Sequence, residues 1–391
     1  MKILFVVSYG DIAAGAGSSV AVMNLMDSLL NIKGVELHVV YQCSTEGTLT
    51  QWMARRNVPF TSIYGVDRYV WPKVNGLKSI AVFPLQLAIK RIYHVISVHQ
   101  IRRVIREVKP DIVHVNNSIL YCGISAADKE HVPSLWHIRE YADFDFDLFP
   151  SKRIFAQRMR QHYTVAISKD ISNHFGLVEP EKHFVVFDGV MKECQTAYVP
   201  EKKDYFLFVG SVTKNKGVSD MLAAFSIYVK RHTVGELWIA GNYKRDYYNE
   251  ICKFIEESGI KERVKFLGFR NDRYELMKNA RALIVPSLFE GFGFITVEGI
   301  MNGTIVIGKN VSGTKMIFDE MPDCEFPYLT IEEMANHMET VMAAAPDSFY
   351  KRIIRAQELA KKKFSIERYG AEINEIYRII VKKQGVNYEK E

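Results

Sequence analysis
Short runs of β-branched and apolar residues alternate along this chain with segments whose apolar positions recur at helical spacing. The first run is Ile3 to Val7, followed by a helical stretch from Ser19 to Leu30 and a second run from Glu36 to Tyr41. Asp111 to Val115, Ser134 to Ile138, Thr164 to Ser168 and Phe184 to Phe187 continue the series. Runs this short read as buried strands, and their alternation with helices predicts βαβ units and a parallel sheet. A polar stretch from Lys192 to Asp204 interrupts the pattern. A second series then opens at Tyr205 to Gly210 and runs through Leu237 to Ala240, Val264 to Leu267, Ala282 to Val285 and Thr304 to Ile307. From Ile331 to Gln384 only helix-period positions remain. The chain therefore reads as α/β, with one Rossmann-like domain over 1–195, a second over 196–365, and a helix in 366–391 that is open to crossing back to the first domain. Parallel sheets bind ligands beyond the carboxyl ends of their strands, so two such domains facing each other would line one cleft.

Size and composition agree with this division. The chain has 391 residues, too many for one ordinary core, and its 48% hydrophobic and 25% charged residues place it among globular proteins. The net charge of +6 is too small and too scattered to predict a nucleic-acid partner; it fits anionic small molecules or a membrane surface. Cys43, Cys122, Cys194, Cys252 and Cys324 contain no Cys-x-x-Cys pair, which argues against zinc and against a disulfide framework and fits a reducing cytoplasm. The apolar opening stops at Ser8-Tyr9-Gly10-Asp11, too short for a signal-peptide core, and no stretch is long enough to span a bilayer.

The segment Pro286-Ser287-Leu288-Phe289-Glu290-Gly291-Phe292-Gly293-Phe294-Ile295-Thr296-Val297-Glu298-Gly299 carries the clearest chemistry. It comes after a strand, Gly291 and Gly293 permit a tight turn, and Phe294 to Met301 reads as a short helix whose first N–H groups suit a diphosphate. Glu290 in the turn and Glu298 in the helix supply acceptors for sugar or ribose hydroxyls. Carboxylates beside phosphate need a cation nearby. Lys216, in Gly210-Ser211-Val212-Thr213-Lys214-Asn215-Lys216-Gly217, stands between a strand and a helix where it can neutralise a leaving phosphate, with Lys214 as a weaker candidate.

The Glu, seven residues, Glu spacing inside Pro-Ser-x-x-Glu-Gly-Phe-Gly, with Gly-Ser-x-x-x-x-Lys-Gly upstream, resembles the retaining glycosyltransferases of family 4, glycosyl transferases group 1, of GT-B fold. The resemblance extends to the loop Gly15-Ala16-Gly17, to Pro110 to His114, to Trp136-His137-Ile138-Arg139-Glu140, to Ala166 to Lys169 and to Asp188-Gly189-Val190. It implies a hexosyltransferase that uses a nucleotide diphosphate sugar, with the first domain on the acceptor side and the second holding the donor. Glu298 would bind the donor ribose, Glu290 the donor sugar and Lys216 the diphosphate, with His137 near the sugar. Gly15, Ala16, Gly17, Ser211, Gly291, Phe292 and Gly293 would complete the donor contacts. The acceptor would be a glycan or a lipid-linked molecule, as in bacterial polysaccharide or glycoconjugate synthesis, and neither cofactor nor metal is expected. Many members carry Arg where this chain has Ser211, so a second phosphate cation is missing from the pattern.

Other readings stay beside this one. A GT-B paralogue without catalysis could serve as partner subunit of a transferase. An NAD-dependent epimerase is disfavoured, because the Gly15 loop lacks a third glycine and the second strand ends at Tyr41-Gln42 without an acid for a ribose. Asp143-Phe144-Asp145-Phe146-Asp147 imitates a metal-binding Asp-x-Asp but reads as a surface loop. His137 could equally be a structural donor at a strand's end. Between Arg68 and Lys109 nine basic residues face one acid, Glu107, among aromatics. That segment is either a contact with anionic membrane, making the protein peripheral on the inner face, or a helix from about Pro84 to Val108 with one solvated side.

Overall fold
The computed structural model describes residues 1–8, 17–42, 47–64, 67–72, 77–144, 147–148, 150–321, 325–345, 347–383 and 385. The chain forms two units, residues 1–189 with 366–391, and residues 190–365.

The first unit runs β1 (Lys2–Val6), α1 (Gly17–Leu30), β2 (Glu36–Gln42), α2 (Thr48–Arg56), β3 (Phe60–Ile63), α3 (Leu77–Val108), β4 (Ile112–Val115), α4 (Tyr121–Glu130), β5 (Ser134–Ile138), α5 (Lys152–Gln161), β6 (Thr164–Ala166), α6 (Lys169–His174) and β7 (His183–Val185). Its seven strands pair in parallel in the order β3-β2-β1-β4-β5-β6-β7. The central strands β4 and β5 are buried at every position, which is why they read as mostly apolar runs, interrupted only by His114, Ser134 and His137. Edge strand β3, Phe60-Thr61-Ser62-Ile63, is exposed or half-buried at three of four positions and carried no such signal.

The second unit runs β8 (Lys203–Val209), α7 (Val218–Arg231), β9 (Glu236–Ala240), α8 (Arg245–Glu257), β10 (Val264–Gly268), α9 (Arg273–Asn279), β11 (Ala280–Val285), α10 (Phe294–Met301), β12 (Ile305–Lys309), α11 (Ser312–Glu320), β13 (Glu325–Tyr328), α12 (Ile331–Ala343) and α13 (Tyr350–Phe364). Six parallel strands take the order β10-β9-β8-β11-β12-β13. Strand order therefore reverses between β8 and β11, and loops leaving those neighbours open a crevice at their carboxyl ends.

The chain leaves the second unit beside its point of entry: Val190 N–H donates to the Phe364 carbonyl at 2.8 Å, and Met191 bridges Ser365. Beyond Ser365 comes α14 (Ile366–Lys383), which belongs to the first unit. Its buried Tyr369, Ile373, Ile376, Tyr377 and Ile380 recur at helical spacing and share a core with Leu25, Met26 and Leu29 of α1. Among the described residues, no helix is long and apolar enough to cross a membrane.

Candidate functional site
In the second unit, Lys216 and Glu290 meet at the reversal of strand order. Lys216 lies in a 3-10 turn, Lys214–Lys216, after β8, and Glu290 lies in the turn after β11. Because β8 and β11 are neighbours, side chains 74 positions apart come together, and Lys216 Nζ donates to Glu290 Oε1 at 2.5 Å. Both remain partly exposed, at 30% and 20%. Gly217 makes this approach feasible: its φ is +65°, and a Cβ there would stand 1.9 Å from the Pro286 carbonyl oxygen. Leu288 N–H also donates to Asn215 O at 3.0 Å, so the two loops are joined through backbone as well.

The turn continues into α10 through Gly293, whose φ of +96° is a left-handed conformation that suits glycine. Glu290's carbonyl accepts from Gly313 N–H at 2.9 Å, tying the turn to α11. Gly291 is half-buried, whereas Phe292 is buried, with Phe294 and Phe364 rings 5.3 and 6.0 Å away. Phe292 thus supports the turn from behind, so any donor contact at that position falls to its backbone. At the start of α10 the N–H groups of Phe294 and Ile295 have no intrahelical acceptor, the feature that binds oxyanions, whereas Thr296 N–H already donates to the Gly293 carbonyl at 3.0 Å.

Glu298 sits within α10 and is buried. Arg273, at the start of α9, holds it with a two-pronged contact: Nη2 donates to Oε1 at 2.9 Å and Nε to Oε2 at 3.2 Å. The Tyr274 hydroxyl donates to Oε1 at 3.2 Å. Burial opposes the charge of Arg273, but Glu298 outweighs it and keeps the guanidinium firmly protonated. Burial and the same carboxylate push the Tyr274 phenol up to about 12. Arg273 is a site residue that sequence alone does not single out. The one signal for it is a position after β10, and the carboxylate it holds lies 25 residues on.

Ser211 is exposed, and the Lys214 ammonium pairs with Glu250 of α8 at 3.0 Å, away from Glu290. Neither brings a second cation to the Lys216–Glu290 pair.

In the first unit His137 is fully buried on β5. A hydrogen bond of 3.2 Å joins its Nδ1 to His114 Nε2, and Tyr377 of α14 meets His114 Nδ1 at 2.7 Å. Arg139 lies alongside, donating to both oxygens of Asp188 at 2.6 and 2.7 Å, to Tyr369 at 2.7 Å and to Asn116 at 3.1 Å. Burial, with the Arg139 charge, drives both histidines well below their ordinary range, so they are neutral. His137 Nε2 is buried without a hydrogen-bond partner among the described residues. The histidine thus has one ring nitrogen committed to the network and one left over.

Gly15 and Ala16 lie outside the described residues, and Gly17 is the first residue of α1. Asp143 is held by His174 at 2.8 Å and Lys152 at 3.7 Å, while Asp145 and Phe146 lie outside the described residues. Among the described residues, no three His, Cys, Asp or Glu are grouped to hold a metal ion.

Residues 194–367 match the family model described as glycosyl transferases group 1. An uncharacterized glycosyltransferase of Methanocaldococcus jannaschii is 34% identical over 118 residues, 29% of each chain. The capsular polysaccharide biosynthesis glycosyltransferase CapH of Staphylococcus aureus is 21% identical over 202 residues, 51% of this chain and 54% of that one. The chain thus matches about a third to a half of these relatives' lengths. Among solved structures, Anabaena HepE in complex with UDP superposes with a TM-score of 0.73 at 17% identity, covering 96% of this chain and 99% of that one. The lipopolysaccharide outer core galactosyltransferase WaaB gives 0.69 at 18%, covering 97% and 99%. At such identities the likeness speaks for the fold alone. Residues 194–367 thus match glycosyl transferases group 1, in a chain whose two parallel-sheet units have the GT-B fold.

Proposed function
We propose that this protein transfers a hexose from a nucleoside diphosphate sugar, with retention of anomeric configuration, to a glycan or lipid-linked acceptor in polysaccharide or glycoconjugate synthesis. The observation that carries the reading is the meeting of Lys216, Glu290 and the first turn of α10 where strand order reverses, with Glu298 inside the same helix. In this reading the diphosphate lies against the α10 N–H groups, and Lys216 breaks its pairing with Glu290 to neutralise the departing phosphate. Glu290 is then free to accept from sugar hydroxyls. Glu298, oriented by Arg273, accepts from the ribose. No metal ion is needed, because cation and N–H groups carry the developing charge.

HepE is solved in complexes with UDP and with UDP and glucose, which puts UDP first among the nucleotides to test. A thermal-shift screen with UDP, GDP, ADP and dTDP, then hydrolysis of the matching sugar nucleotides, tests the proposal. Stabilisation by one diphosphate together with sugar release is expected; no stabilisation by any of them sinks it. The exposed Ser211 and the diverted Lys214 favour one rival, a partner subunit without catalysis. That rival binds nucleotide without turning any donor over.

A further inference from the structure
Helix α3 has its polarity inverted over residues 81–96. On the side facing solvent stand Ala81, Val82, Leu85, Ala88, Ile89, Ile92, Val95 and Ile96, all exposed, with Leu85 at 62%, Ile92 at 58% and Val95 at 66%. Facing the protein are polar groups in use. Lys90 binds Asp67 at 3.3 Å and the Arg68 carbonyl, His94 meets Asp67 at 2.9 Å, and Ser97 accepts from Asp67 N–H at 3.2 Å. A helix packed on a water-soluble core shows the opposite arrangement. A contiguous apolar face of this extent marks a contact surface.

Several basic side chains of the same segment are engaged within the fold. Lys90 is turned inward, and Arg102 and Arg106 both clamp Glu130, at 2.6 and 2.8 Å, holding its carboxyl down at about 2. Arg103 pairs with Glu107 at 2.7 Å. At the rim there remains Arg91, exposed and with no acid paired to it among the described residues.

We infer that the exposed face of α3 docks flat on an anionic lipid bilayer, held by its apolar side chains, with Arg91 at headgroup level. Residues 81–96 extend roughly 20 Å along the helix, and none of the described helices can span, so the face lies in the interface plane. The flanking Tyr64, 68% exposed and 5.9 Å from Tyr93, is of the residue type that settles between headgroups and acyl chains. Charge separates this occupant from a second copy. In a twofold pairing centred on Ile89 the two Arg91 side chains would oppose each other, whereas anionic headgroups complement them. The docking is independent of the donor-site reading, because none of these residues belongs to that site.

Flotation of the full chain with vesicles of phosphatidylglycerol and phosphatidylcholine, and of phosphatidylcholine alone, tests this at low and moderate salt. Wild type is expected to float with the anionic vesicles and to retain part of its binding in moderate salt. Leu85→Glu with Ile92→Glu should lower that binding on the order of tenfold or more, while donor hydrolysis in solution stays unchanged. Arg91→Gln should have a smaller effect, confined to low salt. The inference is overturned if wild type ignores anionic vesicles, if the double variant binds them equally, or if moderate salt abolishes binding. It is also overturned if light scattering finds a dimer that the double variant dissociates, which would assign the face to a second copy.

Discussion

Replacing Gly217 by alanine isolates the contact that brings Lys216 to Glu290. Two costs arise. Alanine in a left-handed conformation costs about 1–2 kcal/mol, and the φ of Gly217 is +65°. The new Cβ would also stand 1.9 Å from the Pro286 carbonyl oxygen, an approach that only movement of one loop can relieve. Such movement strains the Leu288 to Asn215 hydrogen bond, worth about 1 kcal/mol, and disturbs packing around the buried Val218 by about 1–3 kcal/mol. Together these come to about 3–6 kcal/mol. Gly259 provides the control, since its φ is +69° and a Cβ there meets nothing within 4 Å, so Gly259→Ala bears only the backbone cost of about 1–2 kcal/mol. Urea denaturation of the two variants and wild type measures the difference, and nucleotide affinity reports whether the Lys216 loop has left the Glu290 turn. Equal losses of stability would refute the argument that the loops are pressed together at Gly217. Unchanged nucleotide affinity in a destabilised Gly217→Ala would refute the assignment of that loop to the donor.

Further perturbations address separate links. Glu298→Ala should weaken nucleoside diphosphate binding by about 2–4 kcal/mol, since bonds to charged groups contribute about 1.5–3 kcal/mol each; calorimetry giving wild-type affinity removes the ribose role. Arg273→Met should destabilise the second unit by about 2–3 kcal/mol, because it strands a buried carboxylate, with Arg273 itself a third exposed; an unchanged denaturation midpoint counts against the clamp. Donor turnover should persist in excess chelator, and loss restored by magnesium or manganese would overturn the metal-free reading. Finally, His114 and His137 are held neutral in the fold, so the unfolded chain binds more protons as pH falls below about 6.5. Stability should therefore drop by up to about 1.4 kcal/mol per pH unit for each histidine below that point, and melts of His137→Asn across pH 5 to 8 should show a shallower slope than wild type.

The central strands and the Lys216 and Glu290 motifs were legible because their signals are local. A strand buried on both faces is mostly apolar, and a backbone pressed against its neighbour requires glycine at 217. Edge strands β3 and β13 were not predicted; Thr61 and Ser62 in one, and Glu325 and Pro327 in the other, interrupt the apolar run. Helix α3 begins at Leu77 and carries Pro84 inside it, where the sequence suggested a start. Arg273 was invisible because its partner is supplied by sheet order. His137 could be placed on its strand from sequence, but its surroundings depend on Tyr369 and Tyr377 of the last helix, more than 200 residues away. In the basic segment, counting charges reveals their sign, whereas which of them pair with Asp67 and Glu130 is decided by the fold.

The adjacent entry and exit of the second unit also dictate an order of events during synthesis. Residues 190–365 can close their sheet and pair Val190 with Phe364 soon after that stretch has left the ribosome. The amino-terminal 189 residues emerge first yet cannot finish, because Arg139 and His114 wait for Tyr369 and Tyr377. Until α14 arrives, the nascent first unit carries a buried guanidinium with one acceptor too few and an uncovered apolar strip on α1. A nascent chain that has emerged as far as residue 365, with α14 still inside the ribosome, therefore displays a finished second unit and an unfinished first one, the state in which a chaperone would find its binding surface.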